Sequence, residues 1–502
     1  MRDHDEVFRR VMKAKEQYEQ QKKEKSMYRV LKNAPGGGAS GDGRNPSKAF
    51  VWAMRVVAAL VCVAIIGGIV FAVQFKAKEK DKKSKSAQGN VTPTGQVTND
   101  PTEGPTGTPS GESTVLTMWC LASEESYDRA AYEQAIAEMQ ERYPTVEFQW
   151  RSFNGPDEYY TALKSAVQTG EAPDIFCTGQ KYVLDDLVSL GQTYCLDSVQ
   201  ANFSDGLSGA MRETVSYDGH MYGIPYSVNA IVLYVNMDVL RSAGINTVPS
   251  TYDELIACCE TLRQRGVVPF GCATEDWCLS EFLEQLIIKE AGASTLEAIW
   301  RNDASWQNRS VIEAVDLFEE YVRNGYFGSA DAESVRENSD VLAGLINGQY
   351  AFYVNGSWNS ENFAHCGSDI VAVEFPVINS ANAGNYQLLI NWGGALSVYN
   401  NSEQKEFAAQ YAMQLGQLLS KHMYLGGWGL PTWQINYVTN GENPLFQQIA
   451  GMVQQAGAFA FTSDCVMNTN TIYEYSQLVR RVYNREINSA AFTAAMDALN
   501  TR

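Results

Sequence analysis

The chain has 502 residues, with 58 acidic against 39 basic side chains, a formal charge of −19 and only four histidines. Residues 1–55 carry 13 basic and 7 acidic residues, residues 76–112 carry 6 and 5, and the remaining body is strongly acidic. Such a body repels phosphate backbones, which argues against nucleic acid as a partner, and its roughly 390 residues are too many for one hydrophobic core, so two domains are expected.

Residues 5–32 read as a charged helix whose apolar stripe, Val7, Val11, Met12 and Tyr18, is thin enough to suit a solvated surface. Residues 34–46 are glycine-rich. Together, residues 1–48 form an expected cytoplasmic basic head. Val56 to Val73 is a run of 18 residues without a charge or a proline. At about 1.5 Å per residue it nearly crosses a bilayer core of ~30 Å, and Phe50 to Met54 can extend it, so a transmembrane helix is expected over 49–75. A cleaved signal peptide fits less well: a long head precedes the run and no small-residue cleavage pattern follows it. Cys62 also lacks the small residue expected before a lipidated cysteine. Residues 76–113 are rich in Thr, Pro and Gly and cannot bury a core; as a flexible linker they span on the order of 35 Å. The flanking lysines 76, 78, 80, 82, 83 and 85 outnumber Arg44, Lys48 and Arg55, so flank charge alone would place the tether inside. The stalk-like tether favours the body outside: a single-pass membrane protein with an extracellular body.

The body opens with a strand, Thr114 to Cys120. There follow a helix (Ser126 to Arg142), a strand (Val146 to Phe153), a helix (Asp157 to Thr169) and a short buried strand (Pro173 to Thr178). This rhythm predicts a mostly parallel α/β sheet, with ligands bound at the carboxyl ends of its strands. Tyr222 to Asn236 is too long for one ordinary strand and predicts a segment that leaves one sheet for another. A helix-rich block spans 251–350. Strands are expected at Tyr350 to Asn355 and Asn391 to Val398, helices at Glu403 to Ser420, 445–457 and 471–501. Nine of the ten cysteines lie in the body without a C-x-x-C pair, so no zinc or thioredoxin motif is signalled; Cys272 and Cys278 could close a small loop or be buried thiols.

Four segments in this order resemble the carbohydrate-binding family of extracellular solute-binding proteins of ABC importers, which includes maltose-binding protein. They are GEAPDIFCTGQ (170–180), DGHMYGIPYSVNAIVLYVNMDVLRSAGI (218–245), LINGQYAFYVNGSWN (345–359) and NWGGALSVYNNSEQKEFAAQYAMQL (391–415). The resemblance covers roughly 114–502. It implies a two-lobed periplasmic-binding-protein-like (type II) α/β fold, with lobe 1 from 114–228 and 396–430 and lobe 2 from 232–392 and 434–502. Crossings would fall at Asn229 to Ile231, Gly393 to Ala395 and Pro431 to Trp433. It also implies a carbohydrate ligand, ABC permease subunits as partners, and neither cofactor nor metal.

Sugars offer apolar C–H faces and hydroxyl edges, so a site needs aromatic plates and polar side chains. By family position the plates would be Trp358, Trp277, Trp392 and Tyr475. Trp119 and Tyr226 are further aromatic candidates; Glu124, Asn154, Gln180, Asn229 and Asp464 are the polar ones. Against each stands a plainer reading: a core or rim aromatic, or, for Glu124, an acid at a helix start. The body shows no H-E-x-x-H, G-x-S-x-G, Walker A or EF-hand pattern, so binding without turnover is expected. A surface sensor or adhesion module is the alternative, and a glycosidase a distant third.

Overall fold

The computed structural model describes residues 114–500, apart from short stretches at 124–125, 127, 204–205, 275, 329–337, 365, 385 and 435–442. The basic head, the apolar run and the tether lie outside the described residues. Among the residues described, no helix is long and apolar enough to cross a membrane.

The chain alternates strands and helices from the start: β1 (Thr114–Cys120), α1 (Arg129–Arg142), β2 (Val146–Ser152), α2 (Pro156–Thr169), β3 (Ile175–Thr178) and α3 (Lys181–Ser189). Local chemistry sets these limits. Pro156 supplies a fixed φ in the first turn of α2, and Gly170 ends that helix at φ 77°, a left-handed conformation that costs glycine little. Then comes β4 (Ile224–Asn236), a strand of 13 residues and on the order of 40 Å.

The helix-rich block holds α4 (Tyr252–Gln264), β5 (Val268–Gly271), α5 (Asp276–Glu290), α6 (Ala293–Trp300), α7 (Arg309–Arg323) and α8 (Asn338–Ile346). Beyond it lie β6 (Tyr350–Gly356), β7 (Ile370–Val373), β8 (Gln387–Val398), α9 (Lys405–Leu425), α10 (Pro444–Gln455) and β9 (Ala458–Phe461). The expected single helix over 471–501 is two, α11 (Thr469–Tyr483) and α12 (Ser489–Asn500). The break follows Asn484, where Arg485 turns to φ 60° and the Ser489 N–H opens α12 by donating to Glu319 at 2.6 Å.

The main sheet runs β2-β1-β3-β8-β4-β6-β5, with β9 added on β8 and β7 on β4. It is mixed rather than mostly parallel. β1 is parallel to β2 and β3, β5 to β6 and β9 to β8, whereas β8 is antiparallel to β3 and β4, and β4 to β6 and β7. The two long strands cause this, because each passes through both halves of the molecule and pairs differently at its two ends.

Alternation along β4 feeds two cores. Val228, Ala230, Val232 and Tyr234 join the core that holds Leu116, Met118 and Ile175. Ile231, Leu233 and Val235 join the one that holds Leu279, Phe282 and Trp306. No disulfide is formed among the described residues, and Cys272 and Cys278 are both buried.

Helix α5 carries buried Glu281, Glu284, Gln285 and Lys289 among its apolar residues. Glu284 accepts from the Ser463 N–H at 3.2 Å. Burial pushes its carboxyl up to about 7, with the Asp464 charge adding to the rise and the Ser463 bonds opposing it. A carboxyl whose folded value is raised binds its proton more readily in the folded state. Its stabilisation is therefore complete in acid below the ordinary carboxylate range and is lost as pH rises through about 7. Glu284→Gln keeps the shape without the charge. Thermal melts should show it raising the midpoint by about 2–4 °C near pH 8 and changing it little near pH 5; a gain confined to acid would contradict this account.

Candidate ligand-binding site

The two halves meet where β4 and β8 run antiparallel, with Asn229 opposite Asn391 and Val228 opposite Trp392. The ladder then breaks between Trp392 and Ala395. Sterics dictate the break: Gly394 sits at φ 152°, and a Cβ there would lie 2.1 Å from the Tyr226 hydroxyl. Such a bulge bends the strand and re-aims the side chains beside it.

Asn229 is half-buried, and its Oδ1 accepts from the Ser357 hydroxyl at 3.0 Å. That hydroxyl in turn accepts from the Ala230 N–H at 3.3 Å. Ser357 opens a single 3-10 turn at the end of β6, and this turn projects Trp358. The Trp358 ring folds back over Gly356, whose φ of −77° is ordinary but which has no room for a Cβ: one there would be 2.2 Å from the ring. Trp358 is 39% exposed, much for so large an apolar surface. Trp277, half-buried at the start of α5, meets it edge to face, with ring centroids 6.1 Å apart at 60°. On the other side Asn391 donates to the exposed Asp464 at 2.9 Å and to the Thr462 hydroxyl at 3.2 Å.

A chain of contacts thus links Trp277 and Trp358, through the turn of buried Ser357, to Asn229, its strand partner Asn391 and Asp464. It sets an aromatic corner next to amide and carboxylate groups. Below it lie Glu281 and Glu284. Burial raises both carboxyls, with Asp464 and Glu284 adding to the rise at Glu281.

The half built on β1–β3 contributes the carboxyl ends of its strands. Asn154 is exposed after β2, and Gln180 is half-exposed ahead of α3. Tyr160 accepts from the Gly179 N–H at 3.0 Å. Burial raises its phenol, and Cys465, which packs in the core that holds Leu116 and Ile175, adds to the shift. Burial pushes Glu297 of α6 up to about 7, while the Phe461 N–H and Lys181 of α3 draw it down.

Four further aromatic candidates differ in how deeply they are packed. Tyr226 is 5% exposed and lies under Gly394, its hydroxyl accepting from Tyr132 at 2.7 Å, so it is part of the core. Tyr475 is fully buried against Trp300, Trp306 and Phe492 because α11 turns its apolar face inward there. Trp119, half-buried, shares a sheet face with Val115 and Thr117, and its ring sits 5.3 Å from Phe153 and 5.3 Å from the Arg151 guanidinium. Trp392 is 8% exposed and stacks on Phe461 at 5.1 Å, yet its indole N–H meets no acceptor among the described residues. Glu124 lies outside the described residues. Ser357, Asn391 and Thr462 were missed from sequence. Ser357 and Asn391 stand inside the quoted G-S-W and N-W-G-G runs, where period-two alternation from Gly393 singles out Asn391.

Over residues 122–413 the sequence matches the family described as bacterial extracellular solute-binding protein. The chain belongs to that family. Its members are known by what they bind rather than by a reaction. The chain is 22% identical over 303 residues to an uncharacterised ABC transporter extracellular-binding protein of Pyrococcus horikoshii, covering 58% of this chain and 65% of that one. It is 25% identical over 227 residues to an alpha-glucosides-binding periplasmic protein of Rhizobium meliloti, covering 40% and 48%. The chain thus spans about half to two thirds of the length of these curated relatives. A solved bacterial solute receptor with a substrate preference for β-D-galactopyranose shares its two-lobed fold at a TM-score of 0.69 and 15% identity, over 78% of this chain and 99% of that one.

The contact between Trp358 and Gly356 can be probed directly. Gly356→Ala strains no backbone but forces the indole off its seat. The Trp277–Trp358 coupling in near-ultraviolet circular dichroism should disappear while the thermal midpoint shifts by only a few °C. An unchanged spectrum would show that the ring has another resting place.

Proposed function

We propose that this solute-binding protein captures a sugar or oligosaccharide between its halves and delivers it to the permease of an ABC importer. The observation that carries this reading is the corner of Trp277 and half-exposed Trp358 set against Asn229, Asn391 and Asp464. Indole faces suit the C–H faces of a sugar ring, and amide and carboxylate groups suit its hydroxyls. The N–H of Trp392, buried without an acceptor beside that edge, is a donor that a hydroxyl would satisfy. Asn154 and Gln180 supply the opposing polar contacts from the other half. The relative named for alpha-glucosides supports the same ligand class.

In this reading lobe 1 is 114–228 with 396–430, lobe 2 is 232–392 with 434–502, and the crossings flex between them. A ligand that touches both lobes stabilises the closed form by its differential contacts. The apolar run Val56 to Val73 holds the body at the outer face of the membrane, and the basic head stays in the cytoplasm.

Calorimetry of the full-length chain against an oligosaccharide panel, with chromatography for cleavage products, tests the function. A bound and uncleaved sugar is expected. Trp358→Ala should weaken that sugar at least tenfold, about 1.4 kcal/mol, without lowering the thermal midpoint; equal affinity would remove Trp358 from the site. Alkaline extraction of cell membranes tests the anchor. The chain should stay with the lipid while protease added to intact cells removes the body, and release into the supernatant would refute the span.

A further inference from the structure

Between α3 and β4 lies a cluster whose chemistry sugar binding does not use. Cys195, Asp197 and His220 each present one donor atom, and the three donors lie within 4.8 Å of one another. Cys195 and Asp197 are half-buried, and His220 is exposed. We infer that these three side chains form a binding site for a borderline-soft divalent transition metal, zinc being the best match.

The cluster is built on two short segments tied together by backbone. Ser216–Tyr217 and His220–Met221 pair as a hairpin whose turn residues, Asp218 and Gly219, take φ 50° and 80°. Both values are positive, as a tight two-residue hairpin turn requires, and they fix where His220 emerges. The Leu196 N–H donates to the Met221 carbonyl at 2.8 Å, which locks the 195–197 segment against that hairpin.

The Asp197 carboxylate is divided in its duties. Its Oδ1 accepts from the Met221 N–H at 2.9 Å and from Arg212 at 3.2 Å, while Oδ2 lies 2.7 Å from His220 Nδ1. Metal-binding carboxylates are commonly held in this way, one oxygen oriented by outer partners, and the ion would replace the hydrogen bond that now joins Oδ2 to His220 Nδ1. A thiolate, an imidazole and a carboxylate suit zinc at about 2.0–2.3 Å, leaving a fourth position for water. A hard cation such as magnesium prefers oxygen ligands and would be refused by the thiol. Arg212 keeps one positive charge near the site, so the thiolate and carboxylate together must neutralise the ion. On binding, the thiol releases its proton to solvent, and His220 carries its own on Nε2 so that Nδ1 can donate its lone pair. Cys195 forms no disulfide and remains available as the thiolate. The bound ion would clip the hairpin to the 195–197 segment and stabilise the folded state by mass action.

The full-length chain is titrated with cobalt(II) as a spectroscopic probe for zinc. One equivalent should give a thiolate-to-cobalt charge-transfer band that zinc abolishes by competition and magnesium leaves in place. Cys195→Ser should remove the band, and His220→Asn should weaken binding at least tenfold, with sugar affinity unchanged in both. Should either variant fold poorly, alkylation of the unmodified protein decides: zinc should protect Cys195 from iodoacetamide, as mapped by mass spectrometry. A band that survives in Cys195→Ser, or alkylation of Cys195 at the same rate with and without zinc, would overturn the assignment.

Discussion

The structure depends on two strands that belong to both of its halves. β4 pairs through its first part with nearly the whole of β8, from Ile224 opposite Leu396 to Ile231 opposite Leu389, while β3 also takes the far end of β8 and β6 and β7 flank the far end of β4. Residues on these strands cannot be assigned to one core, and the alternating side chains of β4 divide between two. Neither half can move without bending the shared pair. The ladder is already broken next to the shared centre, at Gly393 and Gly394, where the space beside Ser227 and Tyr226 admits no side chain. The irregularity therefore falls where a binding protein needs compliance, and Asn229, Asn391 and Trp392 sit directly beside it.

That placement explains the chemistry of the surface. Strand-borne amides give fixed hydrogen-bonding directions, because their backbones are locked in the ladder. The indole of Trp358 is fixed differently, by resting on a glycine rather than by a strand. Under this surface α5 brings two carboxyl groups into the interior at a cost in desolvation, and burial holds their protons on. Both carboxyls thus hold their protons more tightly than exposed acids do, and nearby Asp464 accepts from Asn391.

Much of the architecture was legible in residue order. The β1-α1-β2-α2-β3 run, the unusual length of β4 and the long helix α9 all follow from periodicity and capping, and their limits move by only a few residues. Strands β5, β7 and β9 were not legible, being four-residue segments whose apolar character fits a buried helix as well as a strand. The mixed character of the sheet was hidden for another reason: strand direction depends on which neighbour a segment reaches, and β8 and β4 reach theirs across long separations in sequence.

The site divides along the same line. Sequence alone determined that an aromatic follows a G-S turn, that an asparagine precedes a double glycine, and that the chain holds two α/β halves with an acidic body, because spacing and composition are properties of the chain itself. Only the tertiary structure decided which aromatics face outward. Trp358 is displayed because Gly356 leaves its ring a seat, whereas Tyr226 and Tyr475, equally suited by type, are swallowed by neighbours that arrive from distant positions. A side chain's identity states what it can bind; its exposure is set by whatever packs against it, and that is settled by contacts rather than by order.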